Sequence, residues 1–467
     1  MNNAVSEQLR NLDLIRNGRV NRTRVDKLSP TQIIDIANES LELTSAGQCA
    51  RDSAPFSYTA SLTLSGERWP CSTLECRQKR IQESAYFAAL FCDKLYLRNS
   101  IANCAHSSRH ESCRDSDSFK QLLCDDISLF LEVEPLIKEG IIHLVSPPNY
   151  CPKCLSPRGI FSSAQRTMLA RCNRNLEARF IADGKLSLPY EGKEFHLHAS
   201  GPLELLHDGS LHQRFPKPPH RLEQRSSILA RVRRGETVVL DNRVRSLIGY
   251  DAHLAQMVTR SVMFQLACSQ CLDTGYLSEN PLELDVIRSM CGERQMHATE
   301  DALLSALTSE IPFIHGLSPA ELVKMRKREG DSYQLFRRAL RDAVREYMSS
   351  ERPLTKKDTR QLYADVVVPE LAKVEIALKS ARRRALKSAG SKLVGWTAAI
   401  SASAYVGFLP ASLTAAAGAL GFTKIAADLL SDAIHRGDVM EDVRKENMFF
   451  LWNVRRKAPK GAKHALD

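Results

Sequence analysis

From Leu393 to Thr423 the chain carries no charged side chain, and Arg382, Arg383, Arg384, Lys387 and Lys392 stand directly before it. Charge is frequent elsewhere, so this stretch is either enclosed by other protein or enters a lipid bilayer. Its large apolar groups include Trp396, Tyr405, Phe408 and Phe422, while Ala, Gly, Ser and Thr make up more than half of it. A single lipid span needs about twenty predominantly apolar residues. Pro410 divides the stretch into two pieces that each fall short, and with Gly407 it suggests a helical hairpin or a kink. Small residues let two helices approach closely, in lipid and in packed protein alike. The basic flank would hold the N-terminal side on the cytoplasmic face. Serine and threonine gain little from lipid, however, and Ile425, Leu429, Leu430 and Ile434 continue an amphipathic helix as a bundle would. The expectation is a small-residue hairpin that is buried and becomes exposed under some condition. Arg382, Arg383, Arg384, Trp396, Tyr405, Phe408, Pro410 and Phe422 are its expected membrane or partner contacts.

The rest of the chain is ordinary in composition. At 467 residues it is long enough for two or three domains, and 43% hydrophobic with 25% charged residues argues for folded cores. The net charge of +11 suits nucleic acid or an anionic membrane surface, although a solvated surface rich in Lys and Arg gives the same total. Met1 to Val20 is polar and shows no secretory signal, so a cytoplasmic protein is expected, with the hairpin as its route to the inner membrane. Thirteen cysteines cannot all pair within one chain. In a reducing compartment the closely spaced ones become candidate metal ligands.

Periodicity predicts a mainly α protein with small β elements: an α+β N-terminal part and a helical C-terminal bundle carrying the hairpin. Five segments are expected. They are a polar N-terminal segment with a short strand (1–66), a helical module (67–175), a small β region with a basic, proline-rich connector (176–235), a helical domain (236–350) and C-terminal helices (351–467). Ile81, Ala85, Ala88, Cys92 and Leu95 predict a buried helix from about Arg77 to Leu95. Another is expected from Phe119 to Lys138, kinked or shortened at Pro135, with Gly140 at its left-handed terminus. Ser57–Leu64 and Ile141–Val145 read as strands. Helices are expected over His253–Tyr276 and Asp331–Tyr347, and Phe449–Trp452 should dock the tail onto the C-terminal bundle.

Several phrases occur together: Leu64-Ser65-Gly66 with Pro70-Cys71, Tyr86-Phe87-Ala88-Ala89-Leu90 before Asp93-Lys94-Leu95, and Leu136-Ile137-Lys138-Glu139-Gly140 leading to Cys151-Pro152-Lys153-Cys154. This set resembles uncharacterised bacterial proteins with no assigned activity. The resemblance implies a bacterial origin and no mechanism.

Cys151-Pro152-Lys153-Cys154 has the gap that lets two thiolates reach one Zn²⁺, but a closed structural site needs four ligands. Cys71 and Cys76 are the expected remaining pair, so a zinc clip would close the helical module between them. Cys268 and Cys271 have the same gap in an apolar helical context and are expected to be core residues. His196 and His198 share one side of a strand, where a hydrogen-bonded role is the commoner one. No phosphate loop, zinc-protease helix or nucleophile elbow is present. Asp183, Glu191 and Lys193 form a weak nuclease-like set in a hairpin context. The function expected is therefore a non-enzymatic bacterial interaction or effector protein acting through an unidentified protein partner or membrane. The alternatives are a nucleic-acid-binding protein using basic patches such as Arg231-Val232-Arg233-Arg234 and a zinc knuckle, or a metal-dependent nuclease.

Overall fold

The computed structural model describes residues 3–44, 54, 56–68, 73–102, 116–146, 163–191, 194–200, 211–215, 220–223, 225–278, 280–291, 311, 314–348, 360–361, 363–392 and 443–458. It is mainly helical with small sheets, and it divides into two compact units, Met1–Ser309 and Glu310–Asp467. Among the described residues no helix is long and apolar enough to cross a membrane. The hairpin segment 393–423 lies outside them, with Trp396, Tyr405, Phe408, Pro410 and Phe422.

The first unit opens with helix α1 (Ala4–Asn11), a two-stranded hairpin of β1 (Ile15–Arg16) and β2 (Arg19–Val20), a short α2 (Arg22–Val25) and α3 (Pro30–Leu43). Pro30 fits the first turn of α3, where its missing N–H is no loss, and Ser29 with Gln32 closes a capping box. A parallel βαβαβ run comes next: β3 (Ser57–Ala60), α4 (Leu74–Phe91), β4 (Lys94–Arg98), α5 (Ser116–Lys138) and β5 (Ile142–Val145).

The expected helix to Leu95 stops at Phe91, because Leu95, Tyr96 and Leu97 are drawn into the sheet between β3 and β5. The expected strand to Leu64 stops at Ala60, and Pro135 sits inside α5 without ending it. Gly140 has φ +73°, the left-handed terminus its position called for.

The chain then forms α6 (Ser163–Asp183) and an antiparallel sheet of β6 (Lys185–Leu188), β7 (Tyr190–Glu191), β8 (Glu194–Ser200) and β9 (Leu211–Phe215). Helices α7 (His220–Glu223) and α8 (Ser226–Arg233) lead to β10 (Val238–Val239), which joins this sheet beside β6. Helices α9 (Asn242–Ile248) and α10 (Tyr250–Leu272) precede β11 (Gly275–Leu277) and α11 (Pro281–Cys291). Tyr276, expected to end a helix, is a strand residue.

Strand β11 returns to the first sheet and pairs in parallel with β3, giving the order β11-β3-β4-β5. Both faces of this sheet are covered. Tyr58 lies 5.9 Å from Phe87 of α4, ring centre to ring centre. Tyr96 and Val145 cluster on the other face with Leu272 of α10. Such two-sided burial encloses all four residues of β3, the polar Ser57 and Thr59 included.

The second unit holds α12 (Pro319–Arg328), α13 (Gly330–Met348), α14 (Val368–Lys392) and α15 (Phe449–Lys457). Tyr333, Phe336, Leu340 and Val344 recur at helical spacing and form the buried stripe of α13. Phe450 packs on that stripe, 5.2 Å from Tyr333 and 5.5 Å from Phe336, so the C-terminal aromatic run docks on a helix of this unit.

Candidate functional site

In the parallel sheet, β3, β4 and β5 succeed one another in one direction, whereas β11 lies on the opposite side of β3. Connections diverge between β3 and β11, and at such a divergence the crevice beyond the carboxyl ends of the strands is where open α/β sheets hold ligands. Leu277 pairs with Ala60, and the Ser61 amide donates to the Leu277 carbonyl at 2.7 Å. The two chains therefore leave the sheet side by side.

Strand β3 runs into a tightly wound polar loop. Ser65 N–H donates to the Ser61 carbonyl at 3.0 Å, and the Glu67 N–H to the Leu62 carbonyl at 3.0 Å. Gly66 has φ +72°, and a Cβ there would stand 2.6 Å from Ile81 Cγ1, so both conformation and space require glycine. Arg77 of α4 donates from Nε to the Gly66 carbonyl at 2.7 Å and pairs with Asp126 of α5. Arg68 reaches the same carboxylate at 3.4 Å. Both Arg77 and Asp126 are fully buried, and they lock the loop to the two crossover helices.

The other strand ends are polar too. Asn99, after β4, donates from Nδ2 to Ser40 Oγ at 2.7 Å and Thr44 Oγ1 at 3.1 Å. Thr44 and Ser146, after β5, share a hydrogen bond of 2.8 Å. These contacts tie the end of α3 to the same edge of the sheet.

After β11, Glu283 is enclosed completely. It accepts from Ser261 at 2.7 Å, Ser278 at 2.6 Å and Tyr276 at 3.0 Å. Burial raises its pKa, against the opposing effect of those three hydroxyl donors. Asn280 caps α11 by accepting from the Leu282 N–H at 2.9 Å.

Two polar groups at this edge are left open. Thr63 Oγ1 and Asn280 Nδ2 are buried, and neither has a hydrogen-bond partner among the described residues. Each unsatisfied group of this kind costs about 1–3 kcal/mol. They belong to loops leaving adjacent strands, one offering a hydroxyl and the other an amide donor. The arrangement suits hydrogen bonding to a small polar molecule.

The residues singled out from sequence are distributed differently. Cys76 lies in the first turn of α4, where its Sγ accepts from Arg80 at 3.1 Å; Cys71, Cys151 and Cys154 fall outside the described residues. Among the described residues no three His, Cys, Asp or Glu side chains gather to hold a metal. Cys268 is buried in α10 as a core residue. His196 shares a 3.2 Å hydrogen bond between Nε2 and the Glu191 carbonyl. Asp183 ends α6, Glu191 lies in the β7–β8 hairpin opposite Glu194, and Lys193 is outside the described residues.

Arg231 and Arg233 lie in the last turn of α8. Val232 is buried between them, and Arg231 and Arg234 pair with Glu236 at 2.8 and 3.3 Å. Arg382, Arg383 and Arg384 lie on α14.

Sequence reasoning missed Thr63, Ser278, Asn280 and Glu283. One signal was available: Asn280-Pro281-Leu282-Glu283 has the form of a helix start with an acidic third residue. Glu283 departs from that form by turning inward to three hydroxyls. No protein-family model, curated protein or solved structure matches this chain.

Proposed function

We propose that the chain is a non-enzymatic interaction protein of the bacterial cytoplasm whose N-terminal unit takes a small polar ligand between the carboxyl ends of β3 and β11. The observation carrying this reading is the coincidence of two buried, open polar groups, Thr63 Oγ1 and Asn280 Nδ2, with the divergence of strand connections. The loop carrying Thr63 is held by Arg77 and Asp126, so little ordering would accompany binding. The test is mass spectrometry of small molecules released when the purified full-length chain is denatured. A polar molecule recovered in near-equal amount from the wild type and lost from Thr63→Val is the expected result. Recovery of no such molecule, together with no thermal stabilisation by ATP, NAD or free nucleosides, would overturn the reading.

The segment 393–423 supports a second proposal, that it associates with membrane or a protein partner. Helix α14 carries the basic cluster to Lys392, immediately before the uncharged stretch. Replacing Ala402 and Ala416 with aspartate should then release the protein from a membrane pellet washed at alkaline pH. Retention unchanged would sink the idea. A zinc clip of Cys71, Cys76, Cys151 and Cys154 stays a proposal of the same kind, to be decided by the metal content of the purified chain.

A further inference from the structure

The N-terminal hairpin gathers positive charge in a way that its own folding does not require. Between Arg10 and Lys27 the chain carries six basic residues, Arg10, Arg16, Arg19, Arg22, Arg24 and Lys27, against Asp13 and Asp26. Asn17 and Gly18 have φ of 52° and 72°, the consecutive left-handed residues of a two-residue hairpin turn. Arg16 and Arg19 are consequently direct cross-strand partners. Like charges placed opposite one another weaken a hairpin. Asp13 offsets one of them, reaching Arg16 at 2.7 Å. Arg19 and Arg22 form no ion pair among the described residues, and Arg22 is felt by the Asp125 carboxyl only as a Coulombic influence.

This charge is mounted rigidly. Leu14, Ile15, Val25 and Leu28 are buried beneath it. Asn21 ties the hairpin together, donating to the Asp13 carbonyl at 2.9 Å and accepting from the Arg24 N–H at 3.3 Å. Above lies an open groove of about 700 Å³ whose lining includes Arg16, Arg19, Asn21, Arg22 and Thr23, with Val20 as its apolar member. A second groove of about 490 Å³ continues from it past Arg24 and Lys27, with Asp13, the partner of Arg16, also in its wall.

The lining selects among anionic partners. Arginine forks bind phosphate oxygens in two-point contacts, and Asn and Thr side chains complement sugar and phosphate. The turn is Asn-Gly and presents nothing apolar to enter a bilayer, as a lipid-docking element would. No aromatic residue occurs between Met1 and Phe56 for single bases to stack on. We propose that the hairpin Ile15–Val20 with Arg22–Val25 is a docking surface for the phosphate backbone of duplex nucleic acid, read without sequence preference.

The test uses the full-length chain and a labelled 24-base-pair DNA duplex, with binding followed by fluorescence anisotropy over a KCl series. Wild type should bind at low salt with affinity falling steeply as KCl rises. Arg19→Glu with Arg22→Glu should weaken binding at least about tenfold and flatten the log–log salt slope by about two. Arg19→Gln with Arg22→Gln, milder for folding, should give the same direction, while Arg231→Glu with Arg234→Glu should leave binding unchanged. Circular dichroism checks that each variant is folded. Absence of wild-type binding at low salt, or equal binding by the Arg19/Arg22 variants, would overturn the assignment. So would tighter, Arg19-dependent binding to phosphatidylserine-containing vesicles, which would make the hairpin a membrane contact.

Discussion

Two buried polar clusters in the N-terminal unit differ in one respect. The buried Arg245 guanidinium is bonded internally. Its guanidinium donates to the carbonyls of Phe180 and Gly184 and to both oxygens of Asp251, at 2.7 and 3.1 Å. That cluster clips the end of α6 to the start of α10. At the β3/β11 edge, by contrast, Thr63 Oγ1 and Asn280 Nδ2 stay open among the described residues. A buried polar group that is fully paired is accounted for by the fold, whereas one left open is completed by a water or a ligand. The difference is what sets the proposed ligand site at the β3/β11 edge apart from a structural clip.

Removing one side of each ion pair tests this contrast most directly. Asp251→Ala strands Arg245, and Asp126→Ala strands Arg77. Each should cost about 3–5 kcal/mol in urea unfolding. Only Asp126→Ala should also loosen the Thr63 loop, seen as faster amide hydrogen exchange over residues 61–67. Equal exchange in the two variants would mean that the Arg77 clamp does not hold the site.

Gly66→Ala comes next. Left-handed backbone and the approach to Ile81 together should cost about 2–4 kcal/mol. A loss below about 1 kcal/mol would show the loop to be adaptable rather than fixed.

Glu283 gives a smaller, pH-dependent effect. Its folded pKa is raised, so between the unfolded and folded values the native state holds the extra proton. Its contribution is therefore full below the ordinary carboxylate range and is lost as pH rises through the folded value. Glu134 has the opposite sign. Burial works to raise its pKa, but hydrogen bonds from Arg10, Ser6 and Lys138 outweigh it and lower the value. Its contribution is present at neutral pH and fades in acid. Urea midpoints from pH 4 to 8 should show a declining component that Glu283→Gln removes and Glu134→Gln leaves in place. An unchanged pH profile in Glu283→Gln would contradict a raised pKa.

The smallest effect is the most diagnostic. Compared in ligand-free protein, Thr63→Val keeps shape and deletes the open hydroxyl, so stability should be unchanged or rise by about 1 kcal/mol. A clear loss would mean that the hydroxyl is already bonded in the free protein.

Much of the helical frame was legible in the sequence. The apolar period marks α4, α5, α10 and α13, and Gly140 marks a left-handed helix end, because those signals lie within a few turns of one another. The Asn17-Gly18 hairpin was missed: its strands Ile15-Arg16 and Arg19-Val20 are two residues each, and the arginines around it are spread out and form no run like Arg382-Arg383-Arg384. The parallel sheet was not legible as a sheet. Two of its strands, β3 and β5, were read singly, but all four are only three to five residues long and are joined across long crossovers, a pairing that local spacing does not record.

A mainly helical chain, the positions of several helix ends and the uncharged segment after a basic helix are all written into the amino-acid order, since they arise from local spacing and composition. Packing was needed to lay β11 against β3, more than two hundred residues earlier in the chain. Packing also brought Thr63 to the same edge as Asn280, and Arg77 to Asp126. Such partnerships arise from long-range strand pairing and from burial, where a polar group takes whatever donor or acceptor the packed chain brings within reach.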